Sequence, residues 1–299
     1  AIALPAAAAP AAQRAPVATT PVFTTLDNPS DPTFNQLLGI NNAGVISGYF
    51  GNGSPPHPNR GFTLTPPSAT GTFRAENVPG SVQTQVTGLN NRGVTVGFWA
   101  DPTGDNYGFV AQKGRFTQVF NPMGILPTTG APAIQQLLGV NDKNIAVGFF
   151  ADAGNNNHGF TYNVATGRFT SVNVAGFLSV TPTAINTNGA VAGFVQAGAN
   201  TEGFVLDARG VARLLRGPQG ATASQALGIN ATGEVVGSWV DAQGSTHGFS
   251  WTAQNGYTVI DDPNAHGMTV VNGLNDRGQL VGFFQDAAGN TNGMLVTMH

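Results

Sequence analysis

The sequence predicts an all-β fold: a six-bladed β-propeller of four-stranded antiparallel blades, closed by an N-terminal strand. Three observations predict it. First, one unit occurs six times. It is clearest in Gly228-Ile229-Asn230-Ala231-Thr232-Gly233-Glu234-Val235-Val236-Gly237-Ser238-Trp239, with His247-Gly248-Phe249 following. The copies align Asn41, Asn90, Asn141, Asn186, Asn230 and Asn275 at steps of 49, 51, 45, 44 and 45 residues, a period that marks a solenoid, a propeller or an array. Second, 41 Gly and 19 Pro beside 41% apolar residues call for many short strands and few helices. Third, the segment Phe23-Thr24-Thr25-Leu26-Asp27-Asn28-Pro29 matches Phe116-Thr117-Gln118-Val119-Phe120-Asn121-Pro122, the fourth strand of the second copy. The sixth copy reaches His299 after its third strand, so the N-terminal segment supplies the missing one. That exchange closes a ring and protects the edges a linear array would expose.

In chain order, residues 1–20 (AIALPAAAAPAAQRAPVATT) read as an Ala/Pro-rich tail and residues 21–299 as a single propeller domain closed by a strand from Phe23 to Asn28. The first strand of each unit is apolar on both faces, as in Leu37, Leu38 and Ile40 or Leu137, Leu138 and Val140. A sheet sandwiched between two neighbours needs that pattern. A tight turn follows, as in Asn42-Ala43-Gly44 or Asp276-Arg277-Gly278, with residues that tolerate positive φ. Asn144 stands where the other copies carry Gly. The second strand is short and apolar, and a longer polar loop leads to the third at Gly61-Phe62, Gly108-Phe109, Gly159-Phe160, Gly203-Phe204, Gly248-Phe249 and Gly293-Met294. The fourth is aromatic-led, as in Phe169-Thr170-Ser171-Val172, and weakest at Val211-Ala212-Arg213-Leu214.

Only 9% of residues are charged, the formal net charge is −3, and no run of Lys or Arg occurs. A phosphate backbone needs a basic face, so nucleic acid is not an expected partner. With no cysteine, disulfides, a thiol nucleophile and a thiolate metal site are excluded. No apolar run approaches the roughly 20 residues needed to span a bilayer. The Ala/Pro tail reads as the start of a mature exported chain, which places the protein outside a bacterial cell, and the tail is a candidate for self-association.

The repeats resemble the HAF repeat, a bacterial extracellular repeat with a His-Ala-Phe signature. The likeness rests on Gly228-x-Asn230-x-x-Gly233-x-Val235-Val236-Gly237, on His247-Gly248-Phe249-Ser250-Trp251 and on His158-Gly159-Phe160, and covers roughly residues 37 to 298 through repetition. Gly replaces the middle Ala throughout, and Arg60, Tyr107, Glu202 and Asn292 stand where His is expected. The resemblance implies an exported propeller-like protein and no defined activity.

The second-to-third and fourth-to-first loops of a four-stranded blade share one face, opposite the tight turns. Asp101, Asp152, Asp241 and Asp286 open second-to-third loops, each with Tyr107, His158, His247 or Asn292 six residues on, and Trp99 and Trp239 lie two residues before Asp101 and Asp241. One expectation is a set of similar pockets in which Asp accepts hydroxyl hydrogen bonds and an aromatic ring stacks on a sugar. The other is a hairpin whose Asp caps its own turn while His or Tyr packs on a blade. Calcium is conceivable, but no loop has the spacing of a dedicated site and no metal is expected. Residues that break the repeat, His57, Arg60, Glu202, Asp261, Asp262 and His266, are the candidates for catalysis, as a His–carboxylate base or an anion-holding Arg. Gln36, Gln85, Gln136 and Gln225 either ring the channel mouth or cap strand ends. Tyr49-Phe50, Phe98-Trp99, Phe149-Phe150 and Phe283-Phe284 read as blade core. The leading expectation is a non-catalytic binding module for a glycan or other neutral polar ligand. A secreted hydrolase or lyase and a self-assembling structural protein stand against it.

Overall fold

In the computed structural model, residues 20–65, 72–125 and 134–298 are described. Six four-stranded antiparallel sheets form a ring, and among the described residues there is no helix. Blades 1 to 5 run in sequence order from axis to rim; blade 5 comprises Ala223–Ile229, Val235–Val240, Thr246–Thr252 and Gly256–Ile260. Blade 6 takes three strands from the C-terminal end of the chain and its outer strand, Pro21–Thr25, from the N-terminal end, paired with Thr291–Met298. The closing strand therefore starts and stops earlier than Phe23 to Asn28. Leu26 N–H still donates to Gly293 O, but at Asp27 the side chain takes over, accepting the Gly293 N–H at 2.8 Å. Asn28 then caps a turn by accepting the Ser30 N–H. Residues 1–19 of the tail, with the self-association expected of it, lie outside the described residues.

The repeated Asn is a structural device. Its Oδ1 accepts the backbone N–H groups two and four residues on, as from Lys143 and Ile145 to Asn141 at 3.0 Å each, which folds the hairpin. Its Nδ2 reaches the carbonyl of the same Asn in the next blade: Asn41 to Asn90, Asn90 to Asn141, Asn141 to Asn186, Asn186 to Asn230, and Asn275 to Asn41, at 2.9–3.2 Å. Only Asn230 departs, its Nδ2 going to Glu234 in its own turn. One side chain thus sets a local turn and ties blade to blade. Asn144 has φ of 57°, the left-handed conformation its Gly counterparts adopt, and Asn tolerates it.

The core lies between blades. Phe62, Phe109, Phe160, Phe204, Phe249 and Met294 are buried, and four of the rings meet the leading aromatic of the fourth strand edge-on: Phe62 with Phe73, Phe109 with Phe116, Phe160 with Phe169, Phe249 with Tyr257. Fully burying each Phe is worth roughly 1.5–3 kcal/mol. The Gly before each ring faces the first strand of the next blade. A Cβ at Gly61 would lie 2.7 Å from Val86, at Gly248 2.7 Å from Val271, and at Gly159 2.7 Å from Pro182. At Gly61 and Gly248 a Cβ would also meet a carbonyl of its own blade, Glu76 O at 2.7 Å and Ile260 O at 2.4 Å, so both neighbours exclude a methyl group there.

Candidate functional site

The loop-rich face is built from one position per blade, near the start of the third strand: Arg60, Tyr107, His158, Glu202, His247 and Asn292. Strand register sets each against a second-strand residue, Phe50, Trp99, Phe150, Val195, Trp239 and Phe284 respectively. The fourth strand ends beside the same position, bringing in Asn77, Phe120, Arg216, Asp261 and Asp27. Asn77, Asp261 and Asp27 play one role, each accepting the N–H of the Gly after the variable residue.

The residues that break the repeat do so in matched pairs within a blade. Tyr107 packs between Trp99 (centroids 5.2 Å apart) and Phe120 (6.3 Å). Glu202 bonds Arg216 at 3.0 Å. His247 stacks on Trp239 (4.6 Å, 26°) and lies between two carboxylates, with Nδ1 2.8 Å from Asp261 and Nε2 3.3 Å from Asp241. Burial lowers the His247 pKa, but the bonds to Asp261 and Asp241 outweigh it and the net shift is upward. His158 stacks on Phe150 (5.0 Å) and meets Asp152 at 2.8 Å. With the Asn156 N–H, this contact holds the Asp152 carboxyl down at about 2.

Each loop Asp folds its own loop. Oδ1 of Asp101, Asp152, Asp241 and Asp286 accepts the N–H groups two and four residues on, at 2.8–3.0 Å. This repeats on one face the hairpin that Asn makes on the other. Oδ2 of Asp152 and Asp241 holds His, and that of Asp286 accepts from Asn290. Trp99 and Trp239 each have one ring face covered by their blade's own Tyr or His. The loop Asp of each is already engaged in its turn, and among the described residues no group of three or more His, Asp or Glu is placed to hold a metal ion.

Each catalytic candidate has its own local setting. His57 Nδ1 lies 2.7 Å from Asp31, whose buried carboxyl also accepts from Thr33. Burial raises the Asp31 pKa, and these bonds hold it below the ordinary value nonetheless. The pair fastens the blade 1 loop over the entry to its first strand. Glu202 is held by Arg216, while Asp262 is buried and caps a turn at Asn264. The backbone of His266 donates to Gln285. Among the described residues no hydrogen bond or ion pair joins any two of His57, Arg60, Glu202, Asp262 and His266.

Arg60 differs from its counterparts. Among the described residues its guanidinium has no partner, and it lines a cleft of about 460 Å3 with Phe50, Phe73, Asn77, Asn28 and Ser30. The last two come from the loop behind the closing strand, so this cleft lies at the seam where the ends of the domain meet. The repeat break at Arg60 was legible in sequence. The seam residues were not, because Asn28 is far from Arg60 along the chain.

These features define a six-bladed propeller with an interblade cleft on its loop-rich face. No protein-family model matches the chain, and no curated protein matches it. Among solved structures the chain is similar to a putative TolB from Agrobacterium tumefaciens, with a TM-score of 0.59 and 8% identity over 95% of this chain and 99% of that one. TolB from Acinetobacter baumannii gives a TM-score of 0.57 and 8% identity, over 84% of this chain and 63% of that one. A chain of a nidogen/laminin complex gives 0.51 and 12%, over 85% and 98%. At these identities the likeness is one of fold. Among the described residues no helix is long and apolar enough to cross a membrane.

Proposed function

We propose that the chain is an exported bacterial binding propeller of the HAF-repeat kind, without catalytic activity. In this reading it takes a glycan or similar neutral polar ligand in the cleft at Arg60. The supporting observation is the cleft itself. The other five residues at this position are engaged with neighbours, whereas among the described residues Arg60 leaves its five donors unmatched, in a cleft that the half-buried rings of Phe50 and Phe73 also line. A sugar has an apolar C–H face for such rings and hydroxyl groups for Arg60, Asn77, Asn28 and Ser30. The cleft volume is within the range of small-ligand sites.

A glycan array, read with and without calcium, tests the reading. The expected result is binding to a related set of glycans in both conditions. Arg60→Ala should weaken it at least tenfold, and Asp241→Ala or Trp239→Ala should change it less than twofold. Loss on Trp239→Ala with Arg60→Ala silent would move the site to blade 5. Silence across the array would overturn the glycan reading.

A further inference from the structure

The propeller axis carries a second, chemically different cavity. In every blade the first strand contains a one-residue bulge, where its register against the second strand slips, as between Leu37 and Gly39 or Leu137 and Gly139. The six bulged residues face the axis: Leu38, Thr87, Leu138, Thr183, Leu227 and Asn272. They alternate between leucine and a polar residue. Each polar one donates to the carbonyl just before the bulge of the next blade, Thr87 to Leu137 at 2.8 Å, Thr183 to Ala226 at 2.8 Å and Asn272 to Leu37 at 3.0 Å. These three donors are thereby engaged in the wall, and three leucines project between them. A ring of aliphatic side chains, including Ile40, Val140 and Leu274, forms the floor above the Asn belt.

The cavity, open at its mouth, has a volume of about 350 Å3, and its lining includes no Asp, Glu, Lys, Arg or His among the described residues. Its mouth is uneven. Tyr49 donates to Gln36 and Gln85 donates to Asn59. Gln136 has no side-chain partner among the described residues and lines the cavity beside Phe149, Phe194 and the Asn157–Thr181 pair, itself bonded at 2.9 Å. One side of the mouth therefore combines two aromatic rings with an unengaged amide.

We propose that the axial cavity binds one small uncharged molecule, with an apolar body among Leu38, Leu138 and Leu227 and a single hydrogen-bonding group at Gln136. An uncharged wall disfavours an ion, because burying an unpaired charge is costly, whereas an apolar body gains the full value of leaving water. This site is separate from the Arg60 cleft and does not depend on it.

The test uses two dyes sharing one ring system, neutral N-phenyl-1-naphthylamine and its anionic counterpart 8-anilinonaphthalene-1-sulfonate, titrated by fluorescence against the whole chain. The neutral dye should saturate at one per chain and bind at least tenfold more tightly than the sulfonate. Leu138→Trp, which fills the cavity, should weaken it at least tenfold with the circular dichroism spectrum unchanged, while Arg60→Ala should leave it within twofold. Should Leu138→Trp fail to fold, xenon in a pressurised crystal of the unaltered protein should sit on the axis between the three leucines. Equal affinity for the two dyes, more than one site per chain, dye binding indifferent to a folded Leu138→Trp, or xenon elsewhere would overturn the proposal.

Discussion

The two faces of this propeller use the same hairpin chemistry to opposite ends. On the tight-turn face one Asn per blade folds its turn and, in five of six blades, bonds the next blade's Asn carbonyl. On the loop-rich face an Asp folds the turn in four blades through the same two acceptances, but in three of them its second oxygen serves its own blade, as where Asp152 accepts from His158. The first arrangement couples neighbours and admits almost no variation. The second leaves each blade self-contained, so its residues have diverged in complementary sets, His247 with Asp261, Glu202 with Arg216, Tyr107 with Phe120. Uniformity across copies marks structure here, and divergence without a matched partner, seen at Arg60, marks the place to look for a ligand.

The largest effect that would break this comparison is at the belt. Asn141→Ala removes two turn acceptances and the bond to Asn186, and should cost about 3 kcal/mol in urea unfolding. Asp152→Ala, which leaves no interblade bond broken, should cost no more than about half that. A smaller effect is expected where blades touch. Gly159→Ala places a methyl group against Pro182 and should cost about 2 kcal/mol by overpacking, read as a lower Tm. No change in Tm would show that the blades can separate slightly.

The seam offers a test in pH. Burial, opposed in part by the Gly293 N–H and reinforced by the charge of Asp286, pushes Asp27 up to about 6 from 3.8. A raised carboxylate pKa means that folding takes up a proton. Its stabilising contribution is complete below 3.8 and is lost as pH rises through 6. Asp27→Asn should therefore be more stable than the unaltered chain at pH 7.5 by about 1 kcal/mol, allowing for solvent screening, and equal to it near pH 3.5. Equal stability at both pH values would mean that Asp27 is not desolvated. Smallest of all, Arg216→Ala breaks an exposed ion pair with Glu202 and should shift stability by less than about 0.5 kcal/mol.

Much of the fold was legible because its determinants are local. The Gly-Ile-Asn core, the polar turn and the Gly-Phe step each lie within a few residues, and their sixfold repetition converted local patterns into a blade count. The match of Phe23-Thr24-Thr25-Leu26 to Phe116-Thr117-Gln118-Val119 gave the closure. The site was less legible. The sequence reading left two expectations at Asp101, Asp152, Asp241 and Asp286: ligand pockets with Trp99 and Trp239 as stacking rings, or hairpins in which Asp caps its own turn. In the structure those carboxylates fold their own loops and those rings are each covered on one face. The alternation of Leu38, Thr87, Leu138, Thr183, Leu227 and Asn272 was present in the sequence, but only the bulge turns it toward the axis.

By itself, then, the sequence determined six four-stranded units, their turns and the strand that closes them, because hydrogen bonds within a hairpin and burial on alternate faces are properties of contiguous residues. The tertiary structure alone decided that Asn41 bonds Asn90 and Asn275 bonds Asn41, that Arg60 shares a cleft with Asn28 and has no partner among the described residues, and that three leucines meet on an uncharged axis. Those contacts join residues from different blades. Their geometry follows from closure of the ring, which no single repeat contains.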